Sequence, residues 1–347
     1  MFPLVEPVSR RRYTVLKVQT KSGIVGYGET VVVHPEDLEL AKQLVLGRAA
    51  TAYEVLRQGL AAFPSLQAAV NMALLDILGQ FSRAPIYQFL GGPTRNKARV
   101  LMPLSGDSDG ALVASLRGAQ ATGIRAFVVP TPASTAPNHG QSFVSVVRER
   151  LEALRTAGGE EVDFVLDAAG TLSPGDAASL AAALERFHLL WFDEPCRLTS
   201  LTALRKIASE TVTPLGLGRH IYRSGDFQDL LREDAIDVLR PDLAMNGLTQ
   251  IRKMAALAES YYVAVAPFHA GGPIGTAAAL HLAASLPNFF IQQIPIPVAE
   301  ADRKMRSDLV SGWEERAQEG FAPLPAGSGL GVTINEPALE KYRLADA

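Results

Sequence analysis

The sequence predicts an α/β protein: a (β/α)8-type (modified TIM) barrel with an α+β N-terminal capping domain that the C-terminal segment completes. Two observations predict this fold. Eight short apolar segments recur from about residue 98 onward, and amphipathic helical periodicity separates most of them, as in parallel strands joined by helices. The first hundred residues lack that alternation and place strands ahead of helices.

The capping domain, residues 1–97, is predicted from a hairpin and a long helix. Residues 13–20 alternate between apolar and polar side chains, Lys21-Ser22-Gly23 forms a turn, and residues 24–29 return as the partner strand. Helical periodicity follows and is clearest over residues 66–79. We therefore expect a small sheet covered by helices.

The barrel domain, residues 98–320, is predicted from its regular strands. They fall at residues 100–104, 126–129, 163–167, 189–193, 214–218, 236–239, 262–266 and 289–292. An open doubly wound sheet is the alternative, but no Gly-x-Gly-x-x-Gly turn follows an early strand. The last segment, residues 321–347, is rich in Gly and Pro before a short helix, and we expect it to pack back on the cap.

The composition is that of a soluble globular protein, with 48% hydrophobic and 20% charged residues. A formal net charge of -3 favours neither nucleic acid nor a membrane surface as a partner. The single cysteine, Cys196, has no intrachain partner for a disulfide. No segment has the ~20 apolar residues of a membrane helix, and no signal peptide is evident. We expect a cytoplasmic protein.

Three predicted strand ends deliver polar residues to the mouth of the barrel, where loops converge. Asp167, Asp193 and Arg219 follow one another at intervals of 26 residues. The two carboxylates suit Mg²⁺, or else they cap strands or form ion pairs. The guanidinium of Arg219 offers no open metal-coordination position. Between two aspartates it would bind a substrate carboxylate or hold the mouth of the barrel shut. The alternative is that Arg219 faces solvent at the end of its strand. We expect Glu194 to point outward, because neighbouring strand residues face opposite sides.

A second pair of polar residues follows the sixth and seventh strands. Asp242 could orient the imidazole of His269 and support its proton transfer, although a loop histidine without a role is the alternative. The second strand ends in Val128 and Pro130, with no lysine, arginine or carboxylate. The sequence therefore shows no base on the face opposite this pair.

Several motifs resemble the enolase superfamily, specifically its mandelate racemase/muconate-lactonizing subgroup. Residues 23–29 resemble its GxxGxGE strand, residues 73–79 its ALWDxxGK helix, residues 85–92 its PxxxLLGG segment and residues 237–242 its DVxQPD motif. Residues 321–332 resemble its Gly- and Pro-rich return. The similarity covers nearly the whole chain, although the family's opening strand is expected to be missing here.

The resemblance implies abstraction of a proton α to a carboxylate, with the enolate stabilised on Mg²⁺. It implies Asp167 as the first metal ligand and Asp193, usually Glu, as the second; the third falls on Arg219, where Glu or Asn is usual.

The resemblance also assigns the proton-transfer positions. The dyad acid is Asp242, and the dyad histidine falls on Phe268, or on His269 with a one-residue shift. The positions usually held by other acids and bases are occupied by Val128, Pro130, and Gln292 or Gln293.

Two function hypotheses follow. The first is a hydroxy-acid or sugar-acid dehydratase or epimerase that uses His269, Asp242 and Arg219, with Asp167 and Asp193 as a degenerate metal site, since two carboxylates alone hold Mg²⁺ weakly. The second is a catalytically silent protein that binds an anion or sugar acid, with Arg219 in place of the metal. Either would take a small-molecule carboxylate, without nucleic acid or membrane, and the resemblance favours a homo-oligomer.

Overall fold

The computed structural model describes residues 1–133, 140–198, 200–222 and 224–344 of the chain. Within this part, no helix has both the length and the apolar character needed to cross a membrane.

The N-terminal part is an antiparallel sheet packed against helices. Its strands are β1 (Phe2–Val5), β2 (Arg12–Gln19) and β3 (Val25–Thr30), in that spatial order. Its helices are α1 (Pro35–Val45), α2 (Tyr53–Gly59), α3 (Pro64–Ser82) and α4 (Ile86–Phe89), with a 3-10 turn at Ala50–Ala52. The predicted hairpin is confirmed. The expectation of a missing opening strand is wrong, because β1 pairs with β2 along its length.

Two glycines of β3 let this strand lie directly on helix α3. A Cβ atom at Gly26 would collide with the carbonyl oxygen of Ala73, and one at Gly28 would collide with that of Ala69. Only a residue without a side chain allows this approach. The contact fixes the end of β3, where Glu29 turns towards the other domain.

The second part is a curled sheet of eight parallel strands. These are β4 (Lys97–Pro103), β5 (Ala126–Pro130), β6 (Asp163–Asp167), β7 (Trp191–Asp193), β8 (Leu215–Leu217), β9 (Val238–Leu239), β10 (Ala264–Val265) and β11 (Gln292–Gln293). Their spatial order is β10-β9-β8-β7-β6-β5-β4-β11. Val265 of β10 also forms a parallel bridge to Phe289, just before β11.

One helix follows each of these strands along the chain. The helices are α5 (Asp109–Ala121), α6 (Gly140–Gly158), α7 (Pro174–Ala183), α8 (Leu201–Ser209), α9 (Ser224–Arg232), α10 (Leu243–Glu259), α11 (Pro273–Ser285) and α12 (Glu300–Leu309). A separate small core of buried side chains from the strands includes Leu101, Val128, Val165 and Trp191. The predicted α/β alternation is therefore present, and its strand ends carry the candidate site.

The C-terminal part contacts residues of the first domain. It contains β12 (Val310–Ser311), β13 (Phe321–Pro323), β14 (Thr333–Ile334) and α13 (Glu336–Lys341). Strand β13 pairs antiparallel with β4. Farther on, the Leu330 amide donates to Asp76 at 2.9 Å, and the Leu344 amide donates to the Pro3 carbonyl at 2.9 Å. The exact domain borders stay predictions.

Candidate functional site

Three consecutive strands bring the predicted mouth residues together. Asp167 ends β6 and Asp193 ends β7, and the two lie side by side in the parallel register. Gly216 of β8 pairs with Asp193. Arg219 comes just after β8, so its side chain reaches back over both aspartates, as the spacing predicts.

Arg219 and Asp167 form a bidentate ion pair. Nη1 donates to Oδ2 at 2.9 Å and Nη2 donates to Oδ1 at 2.5 Å. Nη2 also lies 3.7 Å from Oδ2 of Asp193. The side chains of Arg219 and Asp167 are only 11% and 16% exposed, so the pair is largely removed from water. Two parallel charge-assisted bonds fix the orientation of both groups.

A second arginine, Arg240, holds Asp193. Its Nε donates to Oδ1 at 3.1 Å and its Nη2 donates to Oδ2 at 3.3 Å. The same guanidinium donates to the Ala266 carbonyl at 2.6 Å and to Oε1 of Gln293 at 2.6 Å. The Trp191 indole adds a bond to Oδ1 of Asp193 at 2.9 Å. Every polar side-chain atom of Arg240 and Asp193 therefore has a hydrogen-bond partner.

Arg240 is a site residue that was not predicted from the sequence. The residue directly follows the buried strand residues Val238 and Leu239, and it has no exposed surface. A charged residue is rarely buried without a partner. An arginine that directly follows an apolar strand therefore indicates a buried cation that pairs with a buried carboxylate.

The prediction that Glu194 points outward is wrong. Its Oε1 accepts hydrogen bonds from the amides of Gly218 and Arg219, both at 2.8 Å, and lies 3.7 Å from Nε of Arg219. Glu194 has a left-handed backbone, with φ of 44°. Strand alternation does not hold through such a residue, and the carboxylate therefore turns back to the mouth.

Burial and charge compete in setting the ionisation of this cluster. Burial acts to lower the pKa of Arg219, but the carboxylates of Asp193, Asp167 and Glu194 outweigh it and raise that pKa. Burial and the charge of Asp193 raise the pKa of Asp167, while Arg219 opposes that rise. Burial, followed by Asp193, likewise raises the pKa of Glu194. Arg219 therefore stays cationic at any physiological pH.

Phe268 faces the mouth, and His269 does not. The Phe268 ring centroid lies 5.1 Å from Cζ of Arg219 and 5.8 Å from Cζ of Arg240, within the range of cation–π contact. His269 instead points to the junction with the first domain, where its Nε2 lies 3.2 Å from the Gly272 carbonyl oxygen.

No described hydrogen bond joins Asp242 to His269. Oδ1 of Asp242 accepts from the Ala244 amide at 2.9 Å and caps helix α10. The two side chains line one small cavity of about 50 Å³, together with Tyr13 and Glu29. Burial raises the pKa of Asp242 to about 6. Burial, aided by Arg306, lowers the pKa of His269 to about 3, so the imidazole is neutral at physiological pH.

Glu29 joins the two domains beside His269. Its carboxylate accepts from the amides of Gly272 and Gly275 at 2.5 and 3.1 Å, at the N-terminus of α11, where the helix favours negative charge. Burial raises the pKa of Glu29 to about 7, and the two amides oppose that rise. Glu29 belongs to the GxxGxGE-like segment of the sequence, from which this contact was not predicted.

The other predicted acid and base positions carry no titratable group. Val128 lies in the small core of strand side chains, and the carbonyl of Pro130, at the end of β5, accepts from Arg150 at 2.8 Å. The side-chain oxygen of Gln293 accepts a hydrogen bond from Arg240, and the side-chain amide of Gln292 donates to the Pro267 carbonyl at 3.0 Å.

A cleft of about 690 Å³ lies beside the arginine cluster, along the loops after β6, β7 and β8. Glu194 lines its wall, and polar side chains from the loops and from α9 complete the lining: Arg197, Ser200, His220, Asp226 and Asp229. Nε of Arg219, next to Glu194, has no hydrogen-bond partner among the described residues. The size is that of a small-molecule site.

The resemblance drawn from the sequence implies Mg²⁺ between Asp167 and Asp193, but the side chains do not fit that ion. Both oxygens of each carboxylate already accept from N–H groups, and the third ligand position holds a cation. Among the described residues, no group of three or more His, Cys, Asp or Glu side chains is arranged to hold a metal.

Two family models match the chain. One, described as "Enolase C-terminal domain-like", matches residues 112–338, and the other, "Mandelate racemase / muconate lactonizing enzyme, N-terminal domain", matches residues 4–91. Together they cover both domains of the structure.

Curated relatives span almost the same length. The chain is 30% identical to a D-galactonate dehydratase of Ralstonia nicotianae, over 96% of this chain and 92% of the relative. It is 29% identical to a D-galactonate dehydratase of Xanthomonas campestris, over 95% of this chain and 91% of the relative.

Solved structures share the fold. A mandelate racemase/muconate lactonizing enzyme from Jannaschia sp. superposes with a TM-score of 0.89 at 24% identity, covering 100% of this chain and 97% of the other. A similar protein from Rubrobacter xylanophilus gives 0.88 at 24% identity, with 99% and 96% coverage. At these identities the likeness concerns the fold alone.

Proposed function

Since this chain belongs to the mandelate racemase/muconate lactonizing enzyme subgroup of the enolase superfamily, we propose that it is a catalytically silent binding protein for a sugar acid or related hydroxy acid. One observation carries the proposal: Phe268 packs under both arginines of the mouth, while His269 is turned into the domain junction. An aromatic ring there cannot accept or donate the proton that enolisation requires.

The sugar-acid class is supported by the relatives and by the cleft. The similar proteins are named D-galactonate dehydratase, and a sugar acid carries one carboxylate and several hydroxyls. Carboxylates such as Glu194 and Asp226 are hydrogen-bond acceptors that suit donating hydroxyls. Arg197, on the same cleft, would meet the ligand carboxylate.

Calorimetric titration with D-galactonate and with uncharged D-galactose tests the binding role. We expect saturable binding of the acid and weaker binding of the sugar. Arg197→Gln should weaken binding of the acid about tenfold, which is the loss of one charged hydrogen bond. The control is Arg205→Gln, on the outer surface of α8, where Arg205 pairs with Glu233. Absence of saturable binding across a set of sugar acids would refute the binding role.

A sugar-acid dehydratase or epimerase is the second candidate, favoured by the names of the relatives. In that case His269, Asp242 and Arg219 would be the catalytic groups, aided by Asp167 and Asp193. Incubation with D-galactonate and magnesium chloride, followed by chromatography for a 2-oxo acid or an epimer, distinguishes the candidates. Turnover that is lost in His269→Ala would replace the binding role with catalysis.

The bridge between Val265 and Phe289 supports closure of the sheet into a complete barrel. The division into domains at residues 1–97, 98–320 and 321–347, a cytoplasmic location and a homo-oligomeric assembly remain proposals. Size-exclusion chromatography with light scattering tests the last of these.

A further inference from the structure

Two arginine side chains lie beside the carboxylates at the C-terminal ends of the strands. We infer that Arg219 and Arg240 are permanent counter-charges for Asp167 and Asp193, and that the protein takes up no divalent cation between these carboxylates. Which small molecule the cleft binds does not affect this, because the charges that matter are those of side chains at the mouth itself.

The carboxylate oxygens are committed to nitrogen donors. In Asp167, Oδ1 accepts from Nη2 of Arg219 at 2.5 Å and from the Ala169 amide at 2.8 Å, while Oδ2 accepts from Nη1 of Arg219 at 2.9 Å. In Asp193, both oxygens face Arg240. Mg²⁺ requires oxygens in near-octahedral positions about 2.1 Å away, so binding would first have to break these pairs.

Arg240 cannot be displaced without leaving a buried charge. It has no exposed surface, and its Cζ lies 5.0 Å from the Trp191 ring centroid and 5.8 Å from that of Phe268. A guanidinium group does not deprotonate in a protein. An ion that took Asp193 from Arg240 would therefore leave an unpaired cation in the interior, which is strongly unfavourable.

The local charge is already near balance. Asp167, Asp193 and Glu194 contribute three negative charges, against two positive charges from the arginines, and Glu194 is further satisfied by two backbone amides. A divalent ion at this point would give an excess of positive charge next to Arg219, whose Nη2 lies 2.5 and 3.7 Å from the two aspartates. An ion held by both aspartates would lie close to that guanidinium, and repulsion between neighbouring cations is strong away from water.

The test is titration of the metal-free protein with two divalent ions. Electron paramagnetic resonance measures the binding of Mn²⁺, and calorimetry measures the binding of Mg²⁺. The wild-type protein should show no saturable binding up to millimolar concentrations. Arg219→Glu, which places a third carboxylate at the mouth, should bind Mn²⁺ at least ~10-fold more tightly than the wild type, and addition of Arg240→Gln should tighten binding further. Arg205→Glu makes the same charge change on the outside of α8 and should bind no better than wild type.

Two outcomes would overturn the inference. One is saturable Mg²⁺ or Mn²⁺ binding by the wild-type protein that is lost in Asp167→Asn. The other is a folded Arg219→Glu/Arg240→Gln variant that still binds no metal, because the arginines would then not be what excludes the ion. The wild-type titration decides the central claim even where a variant fails to fold.

Discussion

Arg219 and Asp167 lie face to face at the C-terminal edge of the sheet, joined by two parallel hydrogen bonds of 2.9 and 2.5 Å. The residues come from strand ends that are not adjacent, since β7 lies between β6 and β8. The pair therefore lies across the end of the intervening strand, where Nη2 of Arg219 is 3.7 Å from Oδ2 of Asp193. Removing one partner of such a buried ion pair strongly destabilises the folded protein, because the other charge is left unpaired.

The first prediction concerns this pair. Arg219→Met or Asp167→Asn alone should lower the free energy of unfolding by about 3 kcal/mol, because each leaves the other group short of its partner in a largely buried site. The double variant should lose less than the sum of the two. Urea denaturation of all four proteins measures the coupling. The exposed pair Arg205 and Glu233 is the control, with an expected coupling below about 1 kcal/mol. Strict additivity at Arg219 and Asp167 would contradict the pairing.

The second prediction concerns Arg240. Arg240→Met should destabilise the protein by about 3–5 kcal/mol, because among the described residues the Trp191 indole is then the one hydrogen-bond donor left to the buried Asp193 carboxylate. Asp193→Asn in the same chain should recover part of that loss, since an amide carries no charge to bury. Thermal unfolding of the single and double variants gives the comparison. No recovery in the double variant would mean that Arg240 acts mainly through its packing.

The strand-end aspartates could be predicted from sequence because they depend on regular structure. Short apolar runs predict β6 and β7, parallel strands end at one edge, and Asp167 and Asp193 therefore have to be neighbours. Arg219 follows from the same regularity. The fold of both domains rests on similar periodic signals, apart from β1, whose four residues are too short to show a period.

The rest of the site depends on single backbone angles and on side-chain reach. Glu194 turns inward because its φ is 44°, and nothing in the sequence Asp193-Glu194-Pro195 specifies that φ is positive. Phe268 and His269 differ by one position, and the loop after β10 decides which of them faces the mouth. Arg240 pairs with a residue 47 positions away, a contact that strand spacing alone does not specify.

The third prediction concerns Gly216, which leaves no room for a methyl group beside Asp193. A Cβ atom there would collide with the Trp191 ring and lie 2.9 Å from Oδ1 of Asp193. Gly216→Ala should therefore destabilise the protein by about 1–3 kcal/mol through overpacking. Gly175→Ala, in helix α7, meets only Oγ of Ser173 at 3.9 Å and should be neutral or stabilising by up to about 1 kcal/mol. Equal melting temperatures for the two variants would contradict this packing.

The fourth prediction is a pH dependence that Glu29 contributes to stability. Burial raises its pKa to about 7 from 4.5, so between these values the folded protein binds more protons than the unfolded chain, and stability falls as the pH rises. Glu29→Gln cannot titrate. From pH 5 to pH 8 its free energy of unfolding should therefore rise relative to wild type, by about 2–3 kcal/mol. Urea denaturation across this range measures the difference, with Glu36→Gln, on the exposed face of α1, as the control. A pH-independent difference for Glu29→Gln would show that the carboxylate enters the junction already ionised, held by the amides of Gly272 and Gly275.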